Sequence, residues 1–537
     1  MNIYIIIRGE YNLERLEILD STLRDGAQGE GIIFSLQDKI NIIKILDDFG
    51  IDFIEAGNPA SNPRDLEFFE SIRNIETKNS KIVAFGSTRR KEEKAETDEA
   101  LLKLADCSAE YISLFGKSSL FHVSEIIKTT PRENLSMIEE SIAFLKSKGK
   151  HIFFDAEHFF DGFKDNEEYA SDVIRTAEKA GAERIILCDT NGGTLPDEIA
   201  EITKKVKEII SVPIGIHAHN DTGCAEANCF SAVKSGVTHI QGTFIGFGER
   251  CGNTNLSSAM ATLKLKLGYE LSEKIDLSRL TKVARHIAEI SNITLPDNLA
   301  YVGKNAFSHK GGMHIDGVSK NTSSFEHISP SLVGNKRNFL ISEIGGRSGI
   351  LSKIKQIAPE LEKDSVEVQS ILDILQKMEY RGYQYEAAEA SFELLVKNYL
   401  GLMDMFFDIV YFKTIGETSD DRQAPASAMI KVRVDGKTQI GADEGDGPVN
   451  AIDNAMRSAL KVFYPKVEDM RLVDYKVRVV DGNAATAAVV RVLIETTDGE
   501  DVWTTVGAST DIIGASVTAL ADSIRYKLLK DTEKGIR

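Results

Sequence analysis

The sequence predicts an α/β protein: a TIM (β/α)8 barrel over its first half, a helical linker, and a C-terminal α+β domain made of two β-β-α repeats. Three patterns lead there. Short β-rich runs alternate with amphipathic segments eight times before residue 271, and no second kind of unit intrudes. Polar residues collect where those runs end. Beyond residue 397, two stretches repeat the same order of strands, glycines and helix.

The barrel strands are expected at 16–20, 52–56, 81–86, 111–115, 151–156, 184–188, 213–217 and 239–244, with helices at 35–49, 134–148, 168–180 and 196–210 between them. Ser35 followed by Asp38 reads as a capping box, and Lys148-Gly149 as a helix stop. A doubly wound open sheet is the competing architecture, but the first turn carries no G-x-G-x-x-G. The domains divide as 1–271 (barrel), 272–396 (mostly helical linker) and 397–537 (the repeated α+β domain).

The 537 residues contain 64 Lys plus Arg against 82 Asp plus Glu, a net charge of −18. That balance argues against nucleic acid or an anionic membrane as partner. An anionic ligand then needs local positive charge, from a metal ion or an arginine. Five cysteines without zinc-ribbon spacing read as reduced thiols. The apolar run at 3–7 is too short for a signal peptide or a membrane span. A cytoplasmic protein is expected.

The strand-end stretch Ile214-Gly-Ile-His-Ala-His-Asn-Asp221 carries the chemistry. Residues two apart on a strand share a face, so His217 and His219 point the same way and can hold one metal ion. Barrel sites lie on the loops after the strand C-termini. Strands 1 and 7 flank strand 8, so Asp25, after strand 1, can converge on the histidine pair as the harder ligand. Asn253, after strand 8, is a fourth ligand or a support for the others. Asp25 as a turn residue and Asn253 as a helix cap are the structural alternatives.

Leu19-Asp-Ser-Thr-Leu-Arg-Asp-Gly-Ala-Gln28, Gly215-Ile-His-Ala-His-Asn-Asp221 and Gly246-Phe-Gly-Glu-Arg-Cys-Gly-Asn253 together resemble the metal-dependent barrel acyltransferases that form isopropylmalate, homocitrate and citramalate. Phe154-Asp-Ala-Glu-His-Phe-Phe-Asp-Gly162 and Leu187-Cys-Asp-Thr-Asn-Gly-Gly-Thr194 resemble the citramalate-forming branch most. The resemblance implies a Claisen-type condensation of acetyl-CoA with a 2-oxo acid at a divalent Zn, Mn or Mg ion. Pyruvate is the expected oxo acid, in isoleucine synthesis. The alternative is 2-oxoisovalerate, in leucine synthesis; a carbon–carbon lyase or aldolase stands further off. Arg24 is suited to stabilise the developing alkoxide, and Thr190 to bind the oxo-acid carboxylate. Glu157 and His314 form the expected base for the methyl proton. His309 and His158 read as structural.

In such relatives the linker lies over a neighbouring subunit's barrel, which implies a homodimer with His314 acting across it. Phe325-Glu-His-Ile328 stands where relatives carry a tyrosine, and Ala56-Gly-Asn-Pro-Ala-Ser-Asn62 departs from the branch's usual segment. In the C-terminal part, strands are expected at 429–434, 437–442, 475–480, 487–496 and 502–508, and helices at 448–462 and 516–529. Ile440-Gly-Ala and Val506-Gly-Ala mark equivalent points of the repeat. The resemblance implies a regulatory domain that binds isoleucine, or leucine if isopropylmalate is the product.

Overall fold

The computed structural model describes residues 15–535 apart from 62, 75–76, 340–345, 363, 417–425 and 481–487. The apolar run at 3–7 and Asn62 lie outside the described residues. Among the described residues, no helix is long and apolar enough to cross a membrane.

The chain divides into two compact units, the first ending at Phe307 and taking in His327–Arg337, the second made of Ser308–Glu326 and Asn338–Arg537. In the first unit, eight parallel strands close into a barrel: β1 (Glu17–Asp20), β2 (Phe53–Glu55), β3 (Lys81–Ser87), β4 (Tyr111–Lys117), β5 (His151–Glu157), β6 (Arg184–Asp189), β7 (Ile214–Ala218) and β8 (His239–Gly242). Helices α1 (Leu36–Phe49), α2 (Pro63–Ser71), α3 (Glu99–Asp106), α4 (Pro131–Ser147), α5 (Phe159–Asp165), α6 (Glu167–Ala180), α7 (Pro196–Ile209), α8 (Ala225–Lys234) and α9 (Leu256–Leu265) follow the strands. The capping box forms: Ser35 Oγ accepts from the Asp38 N–H at 3.2 Å, and Asp38 returns the bond at 2.9 Å.

Period-two alternation sorts the barrel interior into layers. At the N-terminal end Glu17 on β1 accepts two 2.7 Å hydrogen bonds from Arg184 on β6, and the guanidinium lies over Phe153. Next comes an apolar plug of Leu19, Phe53, Val83 and Phe153. Two residues further along the strands the interior turns polar, with Glu55, Asp155, His217 and Gln241 all buried. That polar layer is the floor of the barrel mouth. The outer core continues past residue 271, because α10 (Leu280–Ile290) buries Leu280, Val283, Ala284 and Ile287 in the same apolar cluster.

The second unit begins with two-residue strands, β9 (Ser308–His309) paired in parallel with β10 (Asn338–Phe339). Helices α11 (Gly312–Lys320), α12 (Gly346–Ile357), α13 (Val366–Tyr380) and α14 (Glu389–Tyr399) follow, the last three sharing an apolar cluster around Ile354, Ile371 and Phe392. Two antiparallel three-stranded sheets come next: β11 (Asp408–Ile415), β12 (Ala426–Val434) and β13 (Lys437–Gly445), then β14 (Arg471–Val479), β15 (Val490–Thr497) and β16 (Val502–Ser509). Each is followed by a helix, α15 (Pro448–Leu460) and α16 (Ile512–Glu533).

Each repeat is therefore β-β-β-α; the leading strand β14 corresponds to the one expected at 475–480, whereas β11 was not expected. The first repeat's extra strand, β11, is an edge strand with alternating partial exposure, and such strands carry a weak apolar signal. The repeat is real at atomic detail. A Cβ on Gly441 would lie 2.1 Å from the Ala455 carbonyl oxygen, and one on Gly507 would lie 2.0 Å from that of Ala515. Both halves thus use a glycine in the third strand to let the helix backbone close on the sheet.

Candidate active site at the barrel mouth

Backbone geometry of the last loop builds the site. His219, one residue past β7, bridges Asn253, and the Thr254 N–H reaches the Ala218 carbonyl at 3.0 Å. The Asn220 N–H donates to the Gly252 carbonyl at 2.9 Å, so the loop after β8 is zipped onto the end of β7. Gly248 permits a close approach there, since a Cβ would lie 2.3 Å from Asn253 Nδ2.

Asp25, His217 and His219 each offer a ligand atom within 4.8 Å of the others, and all three are buried. The Nε2 atoms of the two histidines face each other, and Asp25 Oδ2 lies 3.7 Å from His217 Nε2. Asn253 Nδ2 donates to Asp25 Oδ1 at 2.7 Å, while its own Oδ1 is buried without a partner among the described residues, as is His219 Nδ1. Burial pushes the His217 imidazole down. Burial and the neighbouring His217 take that of His219 to about 4. Burial would raise the Asp25 carboxyl, but Arg24 and the two imidazoles hold it well below the usual carboxylate range. An ionised carboxylate, two neutral imidazoles and an orphaned amide oxygen form a donor set that suits a borderline divalent cation.

Arg24 spans the mouth. Its Nε donates to Glu55 Oε2 at 2.6 Å and its Nη1 to Asp25 Oδ2 at 2.6 Å. The guanidinium carbon sits 3.9 Å from the Phe85 ring centroid. Burial alone would lower the guanidinium, but Glu55 and Asp25 raise it further, so it stays charged. Ser21 Oγ donates to the same Glu55 oxygen at 2.6 Å. Asp155, at the end of β5, is pushed up by burial and by the charge of Glu55.

Thr190 Oγ1 accepts the His158 N–H at 2.9 Å. His158 holds a left-handed backbone, φ 57°, and its ring stacks on His122 at 3.7 Å, a packed role as expected. Glu157 is ion-paired with Lys117, its register partner on β4. His314 is not on the barrel; it lies exposed on α11 of the second unit, stacked on Phe325 at 4.1 Å. His309 bonds Glu326 at 3.2 Å and is buried. Sequence reasoning missed Gln241, Lys117 and Phe85. The signal for Gln241 was available, since His239, Gln241 and Thr243 put polar side chains on one face of an otherwise apolar run.

Residues 15–287 match the HMGL-like family, 301–381 the homocitrate synthase post-HMGL domain-like family, and 386–528 the LeuA allosteric (dimerisation) domain. An (R)-citramalate synthase of Aquifex aeolicus is 48% identical over 97% of this chain and 99% of its own. The chain belongs to the (R)-citramalate synthase family. Another member, from Geobacter sulfurreducens, is 45% identical over 96% of this chain and 98% of its own. A probable 2-isopropylmalate synthase of Methanopyrus kandleri is 29% identical over 95% of this chain and 98% of its own. Members of the citramalate synthase family are acyltransferases that condense acetyl-CoA with a 2-oxo acid.

Proposed function

We propose that this chain condenses acetyl-CoA with pyruvate to give (R)-citramalate and CoA, using a divalent cation held by Asp25, His217 and His219. The observation that carries the reading is the convergence of those three ligand atoms on the barrel mouth beside Arg24. A bound cation would supply Lewis-acid polarisation of the oxo-acid carbonyl.

The chain's own groups do the rest. The methyl carbon of acetyl-CoA loses a proton to a base and forms a bond to C2 of pyruvate, whose carbonyl oxygen becomes an alkoxide. Arg24, held by Glu55 and flat against Phe85, places fixed positive charge beside that oxygen. The Thr190 hydroxyl, already accepting from the His158 N–H, keeps its own proton to donate to the oxo-acid carboxylate. Glu157 is the base on the barrel side, with Lys117 holding its carboxylate in place. His314, exposed on α11, serves the same proton from the second unit of a paired subunit. The alkoxide is protonated, water adds to the thioester carbonyl, and the C–S bond breaks to release CoA. Asn253 secures the Asp25 carboxylate.

The C-terminal repeats form the regulatory domain of a homodimer, with isoleucine as the effector, and the enzyme works in the cytoplasm as a step in isoleucine synthesis. The test is purified protein with acetyl-CoA, a divalent metal and a panel of 2-oxo acids, following CoA release with a thiol reagent. Pyruvate preference with metal-dependent turnover is expected. Preference for 2-oxoisovalerate would overturn the substrate assignment, and full activity without metal would overturn the mechanism.

A further inference from the structure

We propose that Gln241 and Asp155 are positioning residues that fix the tautomer of His217, and so set how tightly the Asp25–His217–His219 group takes up a divalent cation. This rests on the metal reading of that group given above.

Gln241 on β8 is in register with His217 on β7, and neither it nor Asp155 is open to water. Gln241 Oε1 lies 3.1 Å from His217 Nδ1, and Gln241 Nε2 lies 3.3 Å from Asp155 Oδ1. An amide has one accepting end and one donating end. Gln241 Nε2 donates to Asp155 Oδ1, an oxygen that accepts whether Asp155 is ionised or carries its proton on Oδ2, so the NH2 end of the amide is taken. The carbonyl end is then left for the imidazole, and a carbonyl can only accept. His217 must therefore carry its proton on Nδ1. Its Nε2 lone pair is left facing Asp25 Oδ2 at 3.7 Å and His219 Nε2 at 3.4 Å.

The opposite tautomer would be self-defeating. A proton on Nε2 would be donated to the Asp25 carboxylate, closing two of the three ligand atoms against each other. His217 and Gln241 are both buried, and the amide is the partner of Nδ1. Partners of this kind, one bond removed from a metal ligand, typically change affinity by about 10–100-fold.

The test uses metal-free full-length protein and no turnover. Zn2+ affinity is measured by competition with a chromogenic chelator for wild type, Gln241→Leu and Asp25→Ala, and the histidine tautomers are read by 15N–1H correlation on the metal-free wild type. The expected result is an Nδ1–H His217 in wild type, with Gln241→Leu binding about 10–100-fold more weakly. Asp25→Ala should lose more. Wild-type affinity in Gln241→Leu alongside a weakened Asp25→Ala would overturn the positioning role and leave the metal reading standing. An Nε2–H His217 in the wild-type protein would overturn it too, and that measurement does not need the variant to fold. Wild-type affinity in Asp25→Ala would bring down the metal reading and this inference with it.

Discussion

His217 Nε2 and His219 Nε2 stand 3.4 Å apart inside the barrel mouth. Burial keeps both imidazoles neutral at ordinary pH, so the pair cannot share an extra proton cheaply, whereas a cation satisfies both lone pairs and the Asp25 carboxylate at once. Chelator treatment should therefore abolish CoA release, and a divalent metal should restore it. Cation at a hundred times its Kd should also stabilise the fold by about 2.7 kcal/mol, read as a shift in the urea midpoint. Asp25→Ala should lose both effects.

Arg24 makes two bonds that point in different directions, to Glu55 and to Asp25, with its face on Phe85. A lysine ammonium cannot span both carboxylates or lie flat on the ring. Arg24→Lys should keep the fold and lower kcat by about 100–1000-fold, the scale of a lost oxyanion donor, with a smaller change in KM. Steady-state kinetics with saturating acetyl-CoA measure this. Unchanged kcat would reduce Arg24 to a rim ion pair.

Much of the site was legible because strand periodicity is local. His217 and His219 share a face by count alone, and the order of strands in a barrel brings Asp25 to them. The polar position of Gln241 was legible, but its pairing with His217, like that of Lys117 with Glu157, was not, because pairing depends on register between strands. A single sequence carries no register for a parallel sheet whose strands are joined through helices. β11 was missed for a related reason, since an edge strand is recognised by the strand it pairs with.

The ion pair at the N-terminal end of the barrel should give the protein an acid limit. Burial would raise the Glu17 carboxyl, but hydrogen bonds from His239 and Arg184 take it down to about 2. A folded-state value below the unfolded one, about 4.3, contributes stability above that unfolded value. The contribution is lost as pH falls from about 5 toward 2. Urea midpoints of wild type and Glu17→Gln should differ near pH 7 and converge over that interval. A gap that stays constant with pH would mean that Glu17 acts through packing alone.

Gly252 separates backbone strain from site geometry. It adopts φ 85°, and a Cβ there would lie 2.0 Å from the Gly246 carbonyl oxygen, in the loop that delivers Asn253 to Asp25. Gly268 adopts a similar φ of 77° with nothing among the described residues within 4 Å of its Cβ position. Alanine at either position carries the left-handed penalty, about 1–2 kcal/mol. Only Gly252→Ala must also move the loop. Gly268→Ala should therefore lower the thermal midpoint and leave kcat alone, while Gly252→Ala should lower the midpoint further and cut kcat by more than about tenfold, the effect of misplacing a group that holds a metal ligand. Equal activities in the two variants, with equal midpoints, would show that the loop absorbs the methyl group without disturbing Asn253.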